Sequence, residues 1–195
     1  MALLTTGARR RPLLRAPLVL GWLAVLGVRQ VAAQGTPVEL EQQVKAAYLL
    51  NFTRYVDWPP GSFTGADDPV NLCVLGAEQF GDVVRQTVEG RRSRGRPVRV
   101  LVPDTPAQAA DCHLAFLGGS LRQEAGWVTA LAGRPTLTVG EGTGFLARGG
   151  AIAFVEVSQT VRFEVNLDAS RRARLRISSR VLSLATRVRG EEGTP

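Results

Sequence analysis

Val70-Asn71-Leu72-Cys73-Val74-Leu75-Gly76 is a short apolar run that ends in a glycine, and the fold is deduced most directly from it. Such a run is typical of a buried strand. A helical stretch is predicted from Glu78 to about Val88, stopping at Gly90, and a second strand over Val98–Val102. An alternation of strand, helix and strand is typical of a mostly parallel sheet.

Two more strands are predicted downstream. Pro103–Asp111 is too polar for a strand, whereas His113–Leu117 is apolar and is followed by two glycines. Ser120 is the expected N-cap of the next helix, with a glutamine three positions on as in a capping box, and this helix runs to Gly133. Thr136–Val139 is the fourth short strand.

A helix with one buried face is predicted before the first strand. Its apolar residues recur at intervals of three and four and are Leu40, Val44, Ala47, Tyr48, Phe52 and Tyr55. This spacing places them on one face of an α-helix. The helix is expected to end before Pro59-Pro60-Gly61, because proline does not continue a helix.

In the second half of the sequence, paired strands replace the alternation. Gly140–Gly150 is glycine-rich and is predicted to be a flexible turn in which no helix begins. Ala151–Val157 and Val161–Leu167 flank Ser158-Gln159-Thr160 and are predicted to form a hairpin. Apolar and polar residues alternate in the second strand, so one of its faces is predicted to be buried and the other polar and available.

The C-terminal region is predicted to contain a short helical turn over Asp168–Ala173, an extended segment over Leu175–Ile177, and a last helix that Ser178 or Ser179 caps. The buried stripe predicted for that last helix consists of Val181, Leu184, Ala185 and Val188.

Together these elements predict an α/β fold. It is a single domain whose mixed, mostly parallel sheet has helices on both faces and a C-terminal hairpin plus helix. If the strands follow the 2-1-3-4 order of doubly wound folds, the strands at Val70 and His113 are neighbours.

Residues 1–33 have the organisation of a secretory signal, with arginines at positions 9, 10, 11 and 15. The apolar run Leu18–Val28 and the small-residue site Val31-Ala32-Ala33 follow. Because this run is shorter than the roughly 20 residues of a membrane-spanning helix, cleavage is favoured over a retained membrane anchor. The expected mature protein is one domain, residues 34–195, in the periplasm.

The charge of the mature part argues against nucleic-acid binding. The whole chain has 24 basic and 17 acidic residues and a net charge of +7. Five basic residues and no acidic ones precede Gln34, so the mature part carries 19 minus 17, or +2. Binding to a phosphate backbone requires a concentrated basic surface.

The two cysteines, Cys73 and Cys112, both lie in the mature part. An even count in an exported chain favours a disulfide over two free thiols. The predicted strand order brings the two residues together, which is consistent with such a bridge.

No motif in the sequence indicates catalysis. His113 is the only histidine and directly follows Cys112, which favours a packed, hydrogen-bonded side chain over a member of a catalytic triad. One histidine with two oxidised cysteines does not make a zinc site. The series Gly140, Gly142 and Gly144 lacks the lysine and hydroxyl residue of a P-loop. We therefore predict no enzymatic activity, no cofactor and no metal.

A partner- or ligand-binding site is predicted on and after the second hairpin strand. Glu164 lies near Arg162 and Asn166 in the sequence, and Arg174 and Arg176 follow soon after. The planar fork of an arginine matches the carboxylate of a ligand or of a partner protein. Arg176 with Glu164 is the predicted centre of the site, and a solvated ion-pair network is the alternative.

Two other features have two interpretations each. The basic loop of Arg91, Arg92, Arg94 and Arg96 either contacts an acidic partner or is simply solvated. Trp58 either packs on the core or anchors an interface.

Seven segments of the chain carry a resemblance to a known family. They are Val44–Pro59, Leu72–Gly76, Cys112–Leu117, Leu137–Gly140, Val161–Leu167, Leu175–Ser179 and Leu182–Ala185. In this order, and covering nearly the whole mature chain, they resemble the YfiR family of periplasmic proteins. The combination is specific, although no single segment is.

The resemblance implies a regulator that represses an inner-membrane diguanylate cyclase by binding its periplasmic region, which lowers cyclic-di-GMP output. It also implies a homodimer, binding of a small ligand, and folding that depends on disulfide oxidation. Cys73 and Cys112 match one bridge of the family, and a second cysteine pair of its best-known member has no counterpart here.

Two alternatives accompany this expectation. The partner can be a different membrane-bound sensor protein, because similar domains serve more than one kind of receptor. The alternative function is a periplasmic small-molecule-binding module without a fixed protein partner.

Overall fold

The apolar run Val70–Leu75 lies inside a sheet, with a strand on each side. The computed structural model describes residues 36–105, 107–119 and 121–190, so the predicted signal segment 1–33 and the predicted N-cap Ser120 lie outside it. The strands are β1 Val56–Asp57, β2 Val70–Leu75, β3 Arg92–Ser93, β4 Arg96–Leu101, β5 Leu114–Leu117, β6 Leu137–Glu141, β7 Ile152–Val157, β8 Thr160–Asn166, β9 Arg176–Ile177 and β10 Arg187–Arg189.

The helices are α1 Pro37–Tyr55, α2 Glu78–Val88, α3 Leu121–Leu131, α4 Thr143–Ala147, α5 Leu167–Arg172 and α6 Ser179–Leu182, with a 3₁₀ turn at Gln108–Asp111. Within the described ranges, no helix has the length and apolar character needed to cross a membrane. The described residues all lie in one compact unit.

In the described part of the chain, eight strands form the main sheet in the order β10-β8-β7-β6-β5-β2-β4-β3. Strands β4, β2, β5, β6 and β7 are parallel, and β8 returns antiparallel to β7. The central order β4-β2-β5-β6 is the predicted 2-1-3-4 order. The predicted α/β fold, with its mixed and mostly parallel sheet, is therefore confirmed.

Helices cover both faces of this sheet. On one face, Phe52 of α1 and Val84 of α2 pack in a core with Leu72 and Val74 of β2. On the other face, residues of α3 and α4 form a second core with Leu75 and the two cysteines. Strands β2, β5 and β7 supply alternate residues to the two cores, as the two-residue period of a strand requires.

Helix α1 is fixed at both ends and along its length. Thr36 is the N-cap, and its side chain and that of Glu39 form a reciprocal capping box. Further along, Phe52 lies 5.1 Å from the ring of Phe163 in β8 and 6.1 Å from the ring of Phe154 in β7. The helix ends at Tyr55, before Pro59 as predicted.

A disulfide joins Cys73 of β2 to Cys112, just before β5, with the two Cα atoms 5.8 Å apart. Both cysteines are buried in the second core. The predicted bridge is therefore confirmed, and it links two neighbouring parallel strands whose cysteines are 39 positions apart in the sequence.

The prediction that Gly140–Gly150 is a flexible turn without a helix is wrong. Helix α4 begins in it, at Thr143, and its Phe145 is completely buried. A Cβ atom at Gly140 would lie 2.5 Å from the Phe145 ring, and one at Gly150 would lie 2.1 Å from it. Glycine is therefore required at these two positions because a side chain would overlap the Phe145 ring, and not because the chain must be flexible there.

The predicted last helix is also partly wrong. Helix α6 is a single turn, Ser179–Leu182, and Val188 lies in strand β10 instead of on a helix. Leu184 is 60 % exposed instead of buried. Strand β10 lies parallel to β8, and pairing with β8 outweighs the helical spacing of the local sequence.

The disulfide is expected to be a large part of the stability of the fold. Replacing both Cys73 and Cys112 by Ala should lower the free energy of unfolding by about 4 kcal/mol, because a loop of about 40 residues is no longer closed in the unfolded chain. Urea unfolding with and without a reductant measures this difference. The reductant should affect only the wild type, and an unchanged midpoint for the reduced wild type would contradict the prediction.

The packing of Phe145 leads to a second expectation. Gly150→Ala should destabilise the protein by about 1–3 kcal/mol, because the new methyl group overlaps the ring of a buried phenylalanine. Gly126→Ala is the matched control: Gly126 lies inside α3 with open space around it, and the change should stabilise by about 0.5–1 kcal/mol. Thermal unfolding of the two variants should therefore shift in opposite directions.

Candidate functional site

The polar face predicted for the second hairpin strand is not available at its centre. Glu164 of β8 is only 5 % exposed. Its two carboxylate oxygens lie 3.7 Å from Arg187 Nε and 3.7 Å from Arg189 Nη2 of strand β10. The expectation of an exposed Glu164 is wrong because β10 was not predicted, and this strand lies directly beside β8.

Asn166, predicted to bind a partner or ligand, is engaged within the fold. Its Oδ1 accepts a hydrogen bond from the backbone N–H of Ala169 at 3.2 Å and so caps α5. Its Nδ2 donates to the carbonyl of Leu146 in α4 at 3.2 Å. Asn166 therefore links α5 to α4.

The structure does not assemble the predicted pair of Glu164 and Arg176. Arg176 lies in β9, which pairs with β1, and its neighbours Leu175 and Ile177 pack against the core that contains α1. Among the described residues, no ion pair joins Glu164 to Arg174 or Arg176. The predicted site is thus divided into an inward group, Glu164 and Asn166, and an outward group of exposed arginines.

The outward group consists of three exposed arginines within five consecutive positions, Arg172, Arg174 and Arg176, which we call the arginine surface. None of these three side chains has a hydrogen-bond or ion-pair partner among the residues that the structure describes. Arg172, at the end of α5, was missed, although its place between the predicted arginines in the sequence could have indicated it. Arg162 is also exposed, on β8.

Arg180 lies beside this surface and is held by the ring of Tyr55. Its guanidinium carbon is 5.3 Å from the ring centroid, and Nη1 donates to the tyrosine hydroxyl at 3.1 Å. Tyr55 is the last residue of α1. The α1 terminus therefore positions a fourth arginine next to the arginine surface.

His113 has the structural role that the sequence favoured. Its Nδ1 accepts a hydrogen bond from the backbone N–H of Asn71 at 3.1 Å, so Nε2 carries the proton and donates to the carbonyl of Ser62 at 2.9 Å. The ring stacks on Phe63 with the centroids 4.3 Å apart. Because both nitrogens are engaged, the ring is not free to act as a general base.

The surroundings of His113 favour its neutral form. Burial lowers the pKa of His113, and the charge of Arg96 lowers it further. The hydrogen bond to the Ser62 carbonyl opposes this shift but does not reverse it. Arg96 is held nearby, with its guanidinium carbon 4.0 Å from the centre of the Phe63 ring.

The basic loop and Trp58 are also tied into the fold. Arg94 forms an ion pair with Asp57, and Arg96 donates to the carbonyl of Gly65 at 2.6 Å. The indole N–H of Trp58 donates to the carbonyl of His113 at 3.0 Å, and its ring packs against the core. The core interpretation of Trp58 is confirmed, whereas contact of the loop with a partner stays a prediction.

Metal-binding chemistry has no counterpart in the described ranges, in which no group of three or more histidine, cysteine, aspartate or glutamate side chains could hold an ion. The described residues form a disulfide-linked domain with exposed arginines. Such a surface suits recognition of carboxylates.

The neutral state of His113 leads to a testable pH dependence. The pKa of His113 is lower in the folded protein than its ordinary value of 6.5. As the pH falls below 6.5, His113 therefore becomes protonated in the unfolded chain while it is still neutral in the folded protein, and this favours unfolding. The melting temperature should therefore fall between about pH 6.5 and pH 5, above the range in which carboxylates titrate. His113→Gln should flatten this slope, and an equal slope in both proteins would contradict the assignment.

Two solved structures share the fold of this chain. One is a conserved domain protein from Vibrio cholerae O1 biovar El Tor, with a TM-score of 0.51 and 12 % sequence identity. The other is an ABC domain in complex with L-Trp from Streptococcus pneumonia, with a TM-score of 0.50 and 11 % identity. In each case the match covers 76 % of this chain and 60 % of the other, so this chain spans about three fifths of their length.

The family comparison is more specific than these structural matches. The sequence pattern described as YfiR/HmsC-like matches residues 42–186, from α1 to the residue before β10. This range includes the disulfide, the hairpin of β7 and β8, and the arginine surface. YfiR-like proteins are periplasmic regulators of cyclic-di-GMP signalling. The chain belongs to the YfiR/HmsC-like family.

Proposed function

We propose that this chain is a periplasmic protein that binds the periplasmic region of an inner-membrane diguanylate cyclase, or of a similar sensor protein, and represses it. Lower cyclic-di-GMP output follows from this repression. Family membership supports the regulatory role. The signal segment 1–33 would be removed on export, leaving residues 34–195 as the working domain.

The arginine surface is the observation that carries this proposal. Three exposed arginines without internal partners fall within five consecutive positions, 172–176, whereas Arg94, Arg148 and Arg171 form ion pairs with nearby acidic side chains. A guanidinium binds a carboxylate through two parallel hydrogen bonds. The surface therefore suits an acidic patch on a partner protein.

Repression needs only a difference in affinity. If the domain binds the inactive conformation of the sensor region more tightly than the active one, it shifts the population of the whole receptor. The shift across the membrane is limited by that difference, which for coupled sites is typically about 1–3 kcal/mol. A domain stapled between β2 and β5 loses little entropy on docking, because it is already ordered.

A homodimer and a bound small ligand remain part of the proposal through the family resemblance. The alternative function is a small-molecule-binding module, which uses the same arginines to hold a ligand carboxylate. The two functions differ in what binds: a membrane pull-down with the purified protein tests for a protein partner, and a thermal-shift screen with amino acids and nucleotides tests for a small ligand.

The proposal is tested by cyclic-di-GMP levels in cells. Deleting the gene should raise the level, and the wild-type protein should restore it. The double variant Arg174→Glu, Arg176→Glu should fail to restore it and should bind the partner at least about tenfold more weakly, because two charge-assisted contacts become repulsive.

A control variant with the same change in charge is Arg122→Glu, Arg134→Glu, whose side chains are exposed elsewhere on the domain. It should repress normally. If deletion leaves cyclic-di-GMP unchanged, the regulatory function is wrong. If both double variants repress equally well, the arginine surface is not the contact.

A further inference from the structure

An apolar groove of about 600 Å³ lies between the first turns of α1 and the hairpin of β7 and β8. Its walls include the side chains of Pro37, Val38, Leu40, Val44 and Val161. Val38 is 63 % exposed and Leu40 is 60 % exposed, which is unusual for neighbouring aliphatic residues on a short stretch of helix. Contiguous exposed apolar surface of this kind marks a site of interaction.

The groove is preformed, because both of its walls are anchored. The capping box of Thr36 and Glu39 fixes the start of α1. The ring of Tyr48, one turn beyond Val44, lies 5.4 Å from the ring of Phe163 in β8. A segment that docks here therefore meets a rigid surface, and this lowers the entropy lost on binding.

The rim of the groove is acidic. Glu41 and Glu156 line it, and Glu39 lies on the adjacent turn. No lysine or arginine is among its described lining residues. The side chain of Lys45, one turn beyond Glu41, is only 13 % exposed, and its ammonium group lies 2.6 Å from a carboxylate oxygen of Glu41 and 2.6 Å from one of Glu141.

The hydrogen bonds of Lys45 keep its charge paired. Burial lowers the pKa of Lys45, but the hydrogen bonds to Glu141 and Glu41 outweigh this effect and raise it overall. The ammonium group is thus held between two carboxylates and does not balance Glu156 or Glu39. The groove combines apolar walls with a net negative rim.

We propose that this groove binds a basic amphipathic helix of the partner protein, with aliphatic side chains on one face and lysine or arginine beside them. This inference rests on the proposed function and names the chemistry of the segment that the partner presents. Aliphatic side chains fill the groove, and the flanking cations pair with Glu156, because Glu41 already pairs with Lys45.

The charge of the rim disfavours two other occupants. A second copy that docked through the same face in a symmetric pair would bring the two sets of glutamates together, and like charges at an interface oppose association. An anionic membrane surface is repelled for the same reason. A basic protein segment is the occupant that the charges favour.

The groove and the arginine surface lie towards opposite ends of α1. The helix begins beside the groove at Pro37 and ends at Tyr55, whose ring holds Arg180. Its 19 residues span about 28 Å at the usual rise of an α-helix. One partner can therefore contact both surfaces, with a basic segment at one end and an acidic patch at the other.

The groove is tested first with a synthetic helical peptide of leucine and lysine, about four turns long, and with its counterpart that carries glutamate in place of lysine. The lysine peptide should bind the purified protein, and added salt should weaken this binding. The glutamate peptide should not bind detectably. Equal binding of the two peptides, or no binding of the lysine peptide, would overturn the proposal.

Variants locate the binding. Leu40→Asp and Glu156→Lys should each lower the affinity of the protein for the lysine peptide by about tenfold or more. Leu184→Asp is a matched control, because Leu184 is also a leucine that is 60 % exposed but lies near the C-terminus. The Leu184→Asp protein should bind the lysine peptide with the wild-type affinity. Binding that survives Leu40→Asp, or a wild-type dimer in sedimentation that Leu40→Asp converts to a monomer, would refute the assignment.

The cellular assay separates this inference from the proposed function. If the wild-type protein lowers cyclic-di-GMP and the Leu40→Asp protein does not, the regulatory function and the groove assignment are both supported, provided that the Leu40→Asp protein melts at the wild-type temperature. If both proteins repress, the groove is not the partner's site and the regulatory function stands. If the wild type does not repress, the function fails, and the peptide measurements alone decide whether the groove binds basic helices.

Discussion

The packing of α1 on the β7 and β8 strands is the contact on which the other surfaces depend. Phe52 and Tyr48 of the helix meet Phe154 and Phe163 of the strands, with ring centroids 5.1–6.1 Å apart. These aromatic rings fix the helix against the sheet. Because the groove lies at the start of α1 and Arg180 at its end, their separation is set by a single rigid element.

The disulfide acts on a different part of the structure. It joins β2 to the start of β5 on the sheet face opposite α1, where the second core contains α3 and α4. One core thus has its own aromatic packing, and the other has a covalent bond. Both contributions matter for the free energy of unfolding, because it is only a small difference between large opposing terms.

Much of the fold followed from sequence patterns. The strand Val70–Leu75, the presence of α1 and its end before Pro59, the hairpin and the pairing of Cys73 with Cys112 depend on local spacing or on a simple strand order, and the structure confirms each of them. The predicted buried face of α1 is wrong in part, because Leu40, Val44 and Ala47 are exposed and Ala46, Leu49 and Leu50 are buried instead. The polar site was less predictable. Glu164 and Arg176 are close in sequence, but β9 pairs with β1 outside the main sheet, so the two residues belong to different sheets.

Strand β10 and the Phe145 pocket were missed for similar reasons. Arg187–Arg189 is only three residues long, too short for its alternation to be told from a helical spacing, and it is ordered by pairing with β8. The role of Gly140 and Gly150 depends on a phenylalanine that fits between them, which composition alone does not reveal. In both cases tertiary contacts, and not local propensity, determine the structure.

Strand β10 also limits how the chain can be shortened or fused. It occupies one edge of the main sheet, and its two arginines lie beside the buried carboxylate of Glu164. A truncation before Arg187 would uncover the backbone groups of β8, which is the kind of open edge that promotes aggregation. It would also leave a buried carboxylate without its counter-charges. A C-terminal tag therefore belongs after Gly190, where the ladder of β10 has already ended.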